Sequence, residues 1–262
     1  METDPGSAPV VPRDAATVVL LREGRAGPEV FVQRRVRAMA FAGGMTVFPG
    51  GGVDQRDAER ELAWSGPDPR WWGEQFGCGP AVARALVCAA VRETFEESGV
   101  LLAGPDPWTV VAGTAEYSEA RAQLVSRDLS LAEFLTEAGL VLRADLLRPW
   151  AHWVTPEGEK RRYDTRFFLA GMPEGQRADA VTTEAADAYW TTPRDVLRDA
   201  DEGRCGLLPP TRATLAEVAE FGSVAAALGA DRALDKIVPK LVRRGGRWHA
   251  VLPGDPEYDE EA

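Results

Sequence analysis

The sequence is poor in the features that mark several protein classes. It has no run of about 18 apolar residues, which argues against a membrane-spanning helix. Residues 1–13 carry neither the basic start nor the apolar block of a secretory leader, so a cytoplasmic protein is expected. Cysteines are few: Cys78, Cys88 and Cys205 are odd in number and widely spaced. They match neither a disulfide framework nor a zinc pattern, and buried structural thiols are the expectation. Positive charge is also short, with 30 Lys and Arg against 41 Asp and Glu, a formal net charge of −11. That balance argues against general nucleic-acid binding, which needs a basic footprint. It leaves open a small phosphorylated ligand held through a metal. Internal repeats and a clear interdomain linker are absent as well, so one elaborated domain is expected.

What the chain does have is a core-forming composition, 45% hydrophobic and 27% charged, and one unusual stretch. Residues 89–100 read A-A-V-R-E-T-F-E-E-S-G-V. On a helix, residues three and four apart share a face, so Glu93, Glu96 and Glu97 project from one patch. Like charges at that spacing weaken a helix. A hard divalent cation with oxygen ligands, such as Mg²⁺ beside substrate phosphates, would account for them. Val87, Ala90, Val91, Thr94 and Phe95 supply a buried face. Gly99 suits the left-handed residue past the helix end.

Before this helix, 15–22 and 29–34 read as the strands of a hairpin. Arg34, Arg35 and Arg37 and a glycine-bearing loop, 41–45, follow. Residues 46–54, T-V-F-P-G-G-G-V-D, run a short strand into three glycines, which allow close backbone approach and positive φ. Residues 55–80 interleave Trp64, Trp71, Trp72 and Phe76 with Gly and Pro, in a lid, a substrate wall, an oligomer contact or a surface excursion pinned by its tryptophans. Downstream, 117–128 and 130–138 read as helices, the second with capping-box spacing at Ser130 and Glu133. Strands are expected at 146–155, 162–170, within 187–191 and at 248–252. Helices are expected at 193–200, with Thr192 as N-cap, at 212–221, and in parts of 223–240. The expected organisation is a loose tail over 1–14, one domain over 15–240 with an insertion at about 55–80, and a C-terminal extension over 241–262.

Two pieces then combine: Gly51 near the end of F-P-G-G-G-V-D, and R-E-T-F-E-E-S-G-V from Arg92. Together they resemble the Nudix (MutT-like) hydrolase box, G-x5-E-x7-R-E-U-x-E-E-x-G-U, where U is apolar. Arg92, Glu93, Glu96, Glu97, Gly99 and Val100 match, and Thr94 stands where an aliphatic residue is usual. The spacing departs from the pattern. Gly51 and Arg92 are 41 positions apart where the box has 14, an interruption of 27 residues. Asp57 lies at the position counted forward from Gly51 for the first box glutamate, and Arg84 at the position counted back from Arg92. An interrupted box, with W-V-T-P-E-G-E-K-R-R-Y-D-T-R-F-F-L from Trp153 and L-P-P-T from Leu208, resembles the branch containing peroxisomal coenzyme A diphosphatases and their bacterial relatives. The signature of the bacterial coenzyme A hydrolases has an arginine where this chain has Ala40, so the substrate stays open.

The resemblance implies an α/β (α+β) Nudix fold, a mixed β-sheet sandwiched between α-helices, with extra C-terminal helices. It implies hydrolysis of a nucleoside diphosphate linked to another group, with coenzyme A or acyl-CoA, ADP-ribose and NADH-like compounds as candidates. Dimers are common on this fold, so a homodimer is allowed. By motif position, the Gly51 carbonyl and the Glu93, Glu96 and Glu97 carboxylates would bind Mg²⁺ or Mn²⁺, with Arg92 orienting the cluster. A box glutamate or Glu184 would take a proton from the attacking water, with Asp187 as the alternative. Arg34, Arg35 and Arg37 are candidate phosphate contacts, and Arg161, Arg162 and Arg166 a second group, each with solvated strand-end charge as the alternative. His152 reads as a structural histidine between Trp150 and Trp153, and His249 as unrelated to chemistry. The competing reading is a Nudix-fold module that senses a nucleotide without cleaving it.

Overall fold

The computed structural model describes residues 10–36, 42–59, 61–182, 185–244 and 247–258. Arg37, Ala40 and Glu184 lie outside the described residues. The chain begins with the hairpin β1 (Arg13–Gly24) and β2 (Gly27–Arg35), in which Gly24 faces Gly27 across the turn. Two short strands follow, β3 (Thr46–Val47) against β2 and β4 (Gly50–Gly52) against β1. The interruption holds α1 (Arg56–Glu59), β5 (Trp64–Ser65) and α2 (Pro69–Phe76), and leads into α3 (Pro80–Ser98). Next come β6 (Ala103–Gly104), α4 (Ser118–Ser126), α5 (Leu131–Glu137), β7 (Val141–Arg143), β8 (Leu147–Val154), β9 (Tyr163–Gly171) and β10 (Ala185–Thr191). The rest is α6 (Pro193–Asp201), α7 (Pro209–Val218), α8 (Val224–Leu228), β11 (Lys236–Ile237) and the hairpin β12 (Lys240–Arg244) and β13 (Arg247–Val251).

The main sheet has the order β10-β2-β1-β9-β8-β11. It is mixed: β1 with β9 and β8 with β11 are parallel, and the other neighbours are antiparallel. Helices cover both faces, which explains why β1 reads as a continuous apolar run rather than an alternation. Ala16, Val18 and Leu20 pack with α2 and α3, while Val19 and Leu21 pack with residues of α6, α7 and α8. The expected layered fold is therefore the observed one. A second sheet, β5-β7-β6, was not expected. Its strands are two or three residues long, too short to show a period.

The helix signals translate directly. Ser130 and Glu133 form a reciprocal capping box on α5, and the Thr192 side chain accepts from the Asp195 N–H at the start of α6. Helix α3 is more enclosed than an amphipathic surface helix. Leu86, Val87, Cys88, Ala89, Ala90 and Val91 are all fully buried, as in a helix apolar on every side. Thr94 is buried in this setting because its Oγ1 donates to the Ala90 carbonyl at 2.7 Å. The cysteines are free. Only Cys88 is buried, its thiol pushed up to about 12 by burial; Cys78 and Cys205 are half-buried, a departure from the expectation.

The interruption does not form an aromatic wall. Trp72 is fully buried and Phe76 nearly so, and both rings contact Phe168 of β9. Their place is the core between α2, α3 and the sheet, while Trp71 stays exposed.

Candidate active site

The site grows from the last two turns of α3 and the glycine strand β4. Strand β4 pairs antiparallel with β1, Gly51 opposite Ala16, which brings the Gly50–Gly52 backbone beside α3. Close approach, not positive φ, explains two of these glycines. A Cβ on Gly50 would meet the Ala16 carbonyl at 2.5 Å, and one on Gly51 would meet Glu93 Oε1 at 2.5 Å. The Gly50 N–H donates to Glu97 Oε2 at 3.0 Å, tying strand to helix. Glu97 is buried, and the Gln33 side chain donates to its backbone carbonyl at 3.3 Å.

Arg92 is the hub. Its Nη1 donates to Glu93 Oε1 at 2.8 Å and to Glu96 Oε1 at 3.0 Å. Its Nη2 donates to the Gly52 carbonyl at 2.9 Å and to Asp57 Oδ2 at 3.1 Å, and Nε also reaches Asp57. Asp57 is thus the partner behind the cluster, at the position counted forward from Gly51; an aspartate there was legible as a place but not as a role. Its carboxylate also accepts the Asp54 N–H at 3.0 Å, closing the turn into α1. Arg84, at the other counted position, lies on α3 eight residues before Arg92.

Four carboxylates, those of Asp57, Glu93, Glu96 and Glu97, share this space with one enclosed guanidinium. Burial pushes the Glu96 and Asp57 carboxyls up, against the opposing pull of Arg92. Burial alone would weaken the Arg92 charge, but Glu93 and Asp57 outweigh it and raise its pKa. The surplus of negative charge and the all-oxygen donor set fit a hard divalent cation. Among the described residues, no three His, Cys, Asp or Glu side chains already surround one point. In a site of this donor type, substrate phosphates and waters complete the cation's shell.

The other predicted residues divide. Along β2, Phe31 packs in the core beside α3 and Gln33 reaches Glu97; alternation places Arg35 on that same face. Arg34 turns to the opposite face, where Nη2 donates to the Arg204 carbonyl at 2.6 Å. Asp187 sits opposite Arg34 in the β10–β2 register, and Ala185, next to Glu184, sits opposite Arg35. Arg162 donates to the Thr155 and Val10 carbonyls, and Arg166 pairs with Asp14 and Asp164. His152 Nε2 is 2.5 Å from Asp164 Oδ1 in that same buried network, a structural place.

Arg121 is a site residue with no counterpart among the sequence candidates. From α4 its Nε donates to the Glu96 carbonyl at 3.1 Å, and its two Nη atoms grip Asp179 at 2.8 and 2.9 Å. The Asp179 N–H in turn donates to the Ser98 carbonyl at 2.9 Å. Gln176 donates to the Leu101 and Val111 carbonyls and accepts the Leu101 N–H, each at 2.9 Å. The strap between β9 and β10 is therefore pinned to the end of α3. Nothing in the local sequence of Arg121 or Asp179 announces this long-range pair.

Comparison with known proteins agrees with this architecture. The profile of the NUDT19 Nudix domain matches residues 79–218. A putative nudix hydrolase 7 from Caenorhabditis elegans is 30% identical over 198 residues, 76% of this chain and 57% of that protein. The chain thus spans a little over half of that relative's length. Acyl-coenzyme A diphosphatase NUDT19 from Gallus gallus is 27% identical over 308 residues, covering 95% of this chain and 80% of that protein. The crystal structure of a NUDIX hydrolase from Alicyclobacillus acidocaldarius superposes with a TM-score of 0.67 at 28% identity, covering 85% of this chain and 98% of the other. On its matched domain and its carboxylate helix, the chain belongs to the Nudix hydrolase family, in the branch of the NUDT19 Nudix domain.

Proposed function

We propose that the chain hydrolyses the diphosphate bond of a nucleoside diphosphate linked to another group. One observation carries the reading: Glu93, Glu96 and Glu97 lie on one helix face against the Gly50–Gly52 strand, with Arg92 bridging two of them. The Gly51 carbonyl and the three glutamates would hold Mg²⁺ or Mn²⁺. Bound there, the cation would neutralise substrate charge and lower the pKa of a bound water. Arg92 holds Glu93 and Glu96 in orientation from behind, and Glu97 fixes the glycine strand. A glutamate of the cluster or Glu184 is proposed to take the proton from the attacking water, with Asp187 as the alternative. The catalytic unit is proposed to be residues 15–240, with 241–262 as an extension.

Coenzyme A or an acyl-CoA is the first substrate candidate, because relatives in the same branch carry the name acyl-coenzyme A diphosphatase. ADP-ribose and NADH-like compounds follow. The test is a panel of coenzyme A, an acyl-CoA, ADP-ribose, NADH and nucleoside triphosphates with Mg²⁺ or Mn²⁺, read for products of diphosphate cleavage. Turnover of a diphosphate-linked nucleoside supports the reading. Tight binding of one member with turnover of none replaces it with the sensing module.

A further inference from the structure

Helix α4 ends in a conformation that its sequence does not favour. Arg127 caps it with φ +64°, in the left-handed region. Glycine or asparagine normally takes that place, because a Cβ there is strained. The turn itself is well made: the Arg127 N–H donates to the Leu124 carbonyl at 3.0 Å and the Asp128 N–H to the Gln123 carbonyl at 2.9 Å. Glycine would make the same turn without strain, so the arginine side chain needs a separate reason.

Its surroundings supply one. The Arg127 side chain is exposed, on a helix that lies along the carboxylate end of α3: Arg121 of α4 donates to the Glu96 carbonyl at 3.1 Å, and the Arg127 carbonyl accepts from Arg56, the residue before Asp57. The other guanidiniums on this rim are occupied. Arg92 is spent on Asp57, Glu93, Glu96 and Gly52. Arg121 is spent on Asp179, Val181 and the Glu96 carbonyl. Arg56 chelates Asp54, and its Nη1 donates to the Arg127 carbonyl at 2.9 Å. Among the described residues, the Arg127 guanidinium has no hydrogen bond or ion pair. A planar fork beside the carboxylate patch, held by a strained backbone and uncommitted, suits a phosphate oxygen.

We propose that Arg127 contacts the substrate, its guanidinium binding a phosphate of the diphosphate presented to Glu93, Glu96 and Glu97. Arg56, from the segment that interrupts the box, is a positioning residue that holds the Arg127 backbone. The proposal rests on the hydrolase reading above and adds a phosphate-binding residue outside the box. It also gives the interruption a route to the substrate through Arg56, since its buried aromatics have none.

The test compares the full chain with Arg127→Gly and Arg127→Lys, using ADP with Mg²⁺ as a binding probe and turnover of whichever panel member the wild type cleaves. Arg127→Gly is expected to melt at the same temperature or higher, because the strain is relieved. Its ADP affinity and kcat/KM are expected to fall about ten-fold or more, the scale of one lost charge-assisted contact. Arg127→Lys is expected to recover part of the loss. Unchanged ADP affinity in Arg127→Gly, or no ADP binding by the wild type, overturns the proposal. ADP binding decides it even if the wild type cleaves nothing, an outcome that would instead remove the hydrolase reading. Arg56→Ala is expected to weaken ADP binding in the wild-type background and to add nothing to Arg127→Gly. Independent, additive losses overturn the positioning role.

Discussion

Arg92 and Asp57 form the most enclosed ion pair of the site, with side chains 10% and 1% exposed. Removing one partner of such a pair strands the other in a poorly solvated place. Asp57→Ala is expected to destabilise the fold by about 3–5 kcal/mol, measured by urea unfolding. A loss below about 1 kcal/mol would mean that the glutamates and Gly52 satisfy Arg92 alone. The neighbouring pair has a pH signature. The hydrogen bond from Arg56 holds the Asp54 carboxyl down to about 2, below its ordinary 3.8. A depressed folded-state pKa contributes stability above the unfolded value, and that contribution is lost as pH falls through the folded one. The melting-temperature gap between wild type and Arg56→Ala should therefore be full above about pH 4 and close towards pH 2. A gap that is the same at pH 2 and pH 6 would contradict the ion pair. At this scale, Glu93, Glu96, Glu97 and Gly51 were legible, because helical periodicity and a motif locate them. Asp57 was legible in position only, since its link to Arg92 spans 35 residues.

At the scale of elements, α3 is set by what closes its C-terminal end. Gly99 takes φ +72°, and its N–H donates to the Phe95 carbonyl. A Cβ there would come within 2.7 Å of Asp179 Oδ2 and 2.9 Å of Arg121 Nη1. Gly99→Ala therefore meets both backbone strain and the clamp on the β9–β10 strap. It is expected to cost more than about 1 kcal/mol in stability and to lower kcat, because the clamp also holds the Glu96 carbonyl. Unchanged stability and kcat would show that this end of α3 yields freely. The helices, the hairpin and the caps were readable because each has a local signal, a period or a capping residue. The β5-β7-β6 sheet and the Arg121–Asp179 clamp were not, because two-residue strands have no period and a contact across 58 positions has no local trace. Arg34 shows the same limit. Arg34 and Arg35 look alike in sequence, yet the pleat sends these two neighbours to opposite faces of β2.

For the whole molecule, the 27-residue interruption joins the core rather than standing apart from it. Trp72 stacks on Phe76 with ring centroids 6.1 Å apart, and both lie against Phe168. Trp72→Ala is expected to cost about 3–5 kcal/mol of stability with KM unchanged at a temperature where the variant stays folded. A raised KM with full stability would restore the aromatic residues as a substrate wall. The layered fold was legible because apolar runs and amphipathic helices state which faces are covered. The placement of the interruption was not, because Trp, Gly and Pro suit a lid and a core plug equally well. The central claim is that the α3 carboxylates carry divalent-cation-dependent diphosphate hydrolysis, and its most direct test is Glu97→Gln. Turnover of the preferred panel substrate would be measured for wild type and variant across a Mg²⁺ and Mn²⁺ titration, with circular dichroism to confirm folding. The expected results are no wild-type turnover in chelator, saturable activation by the cation, and a folded variant slower by orders of magnitude. A Glu97→Gln enzyme as active as wild type, or full turnover in chelator, would contradict it.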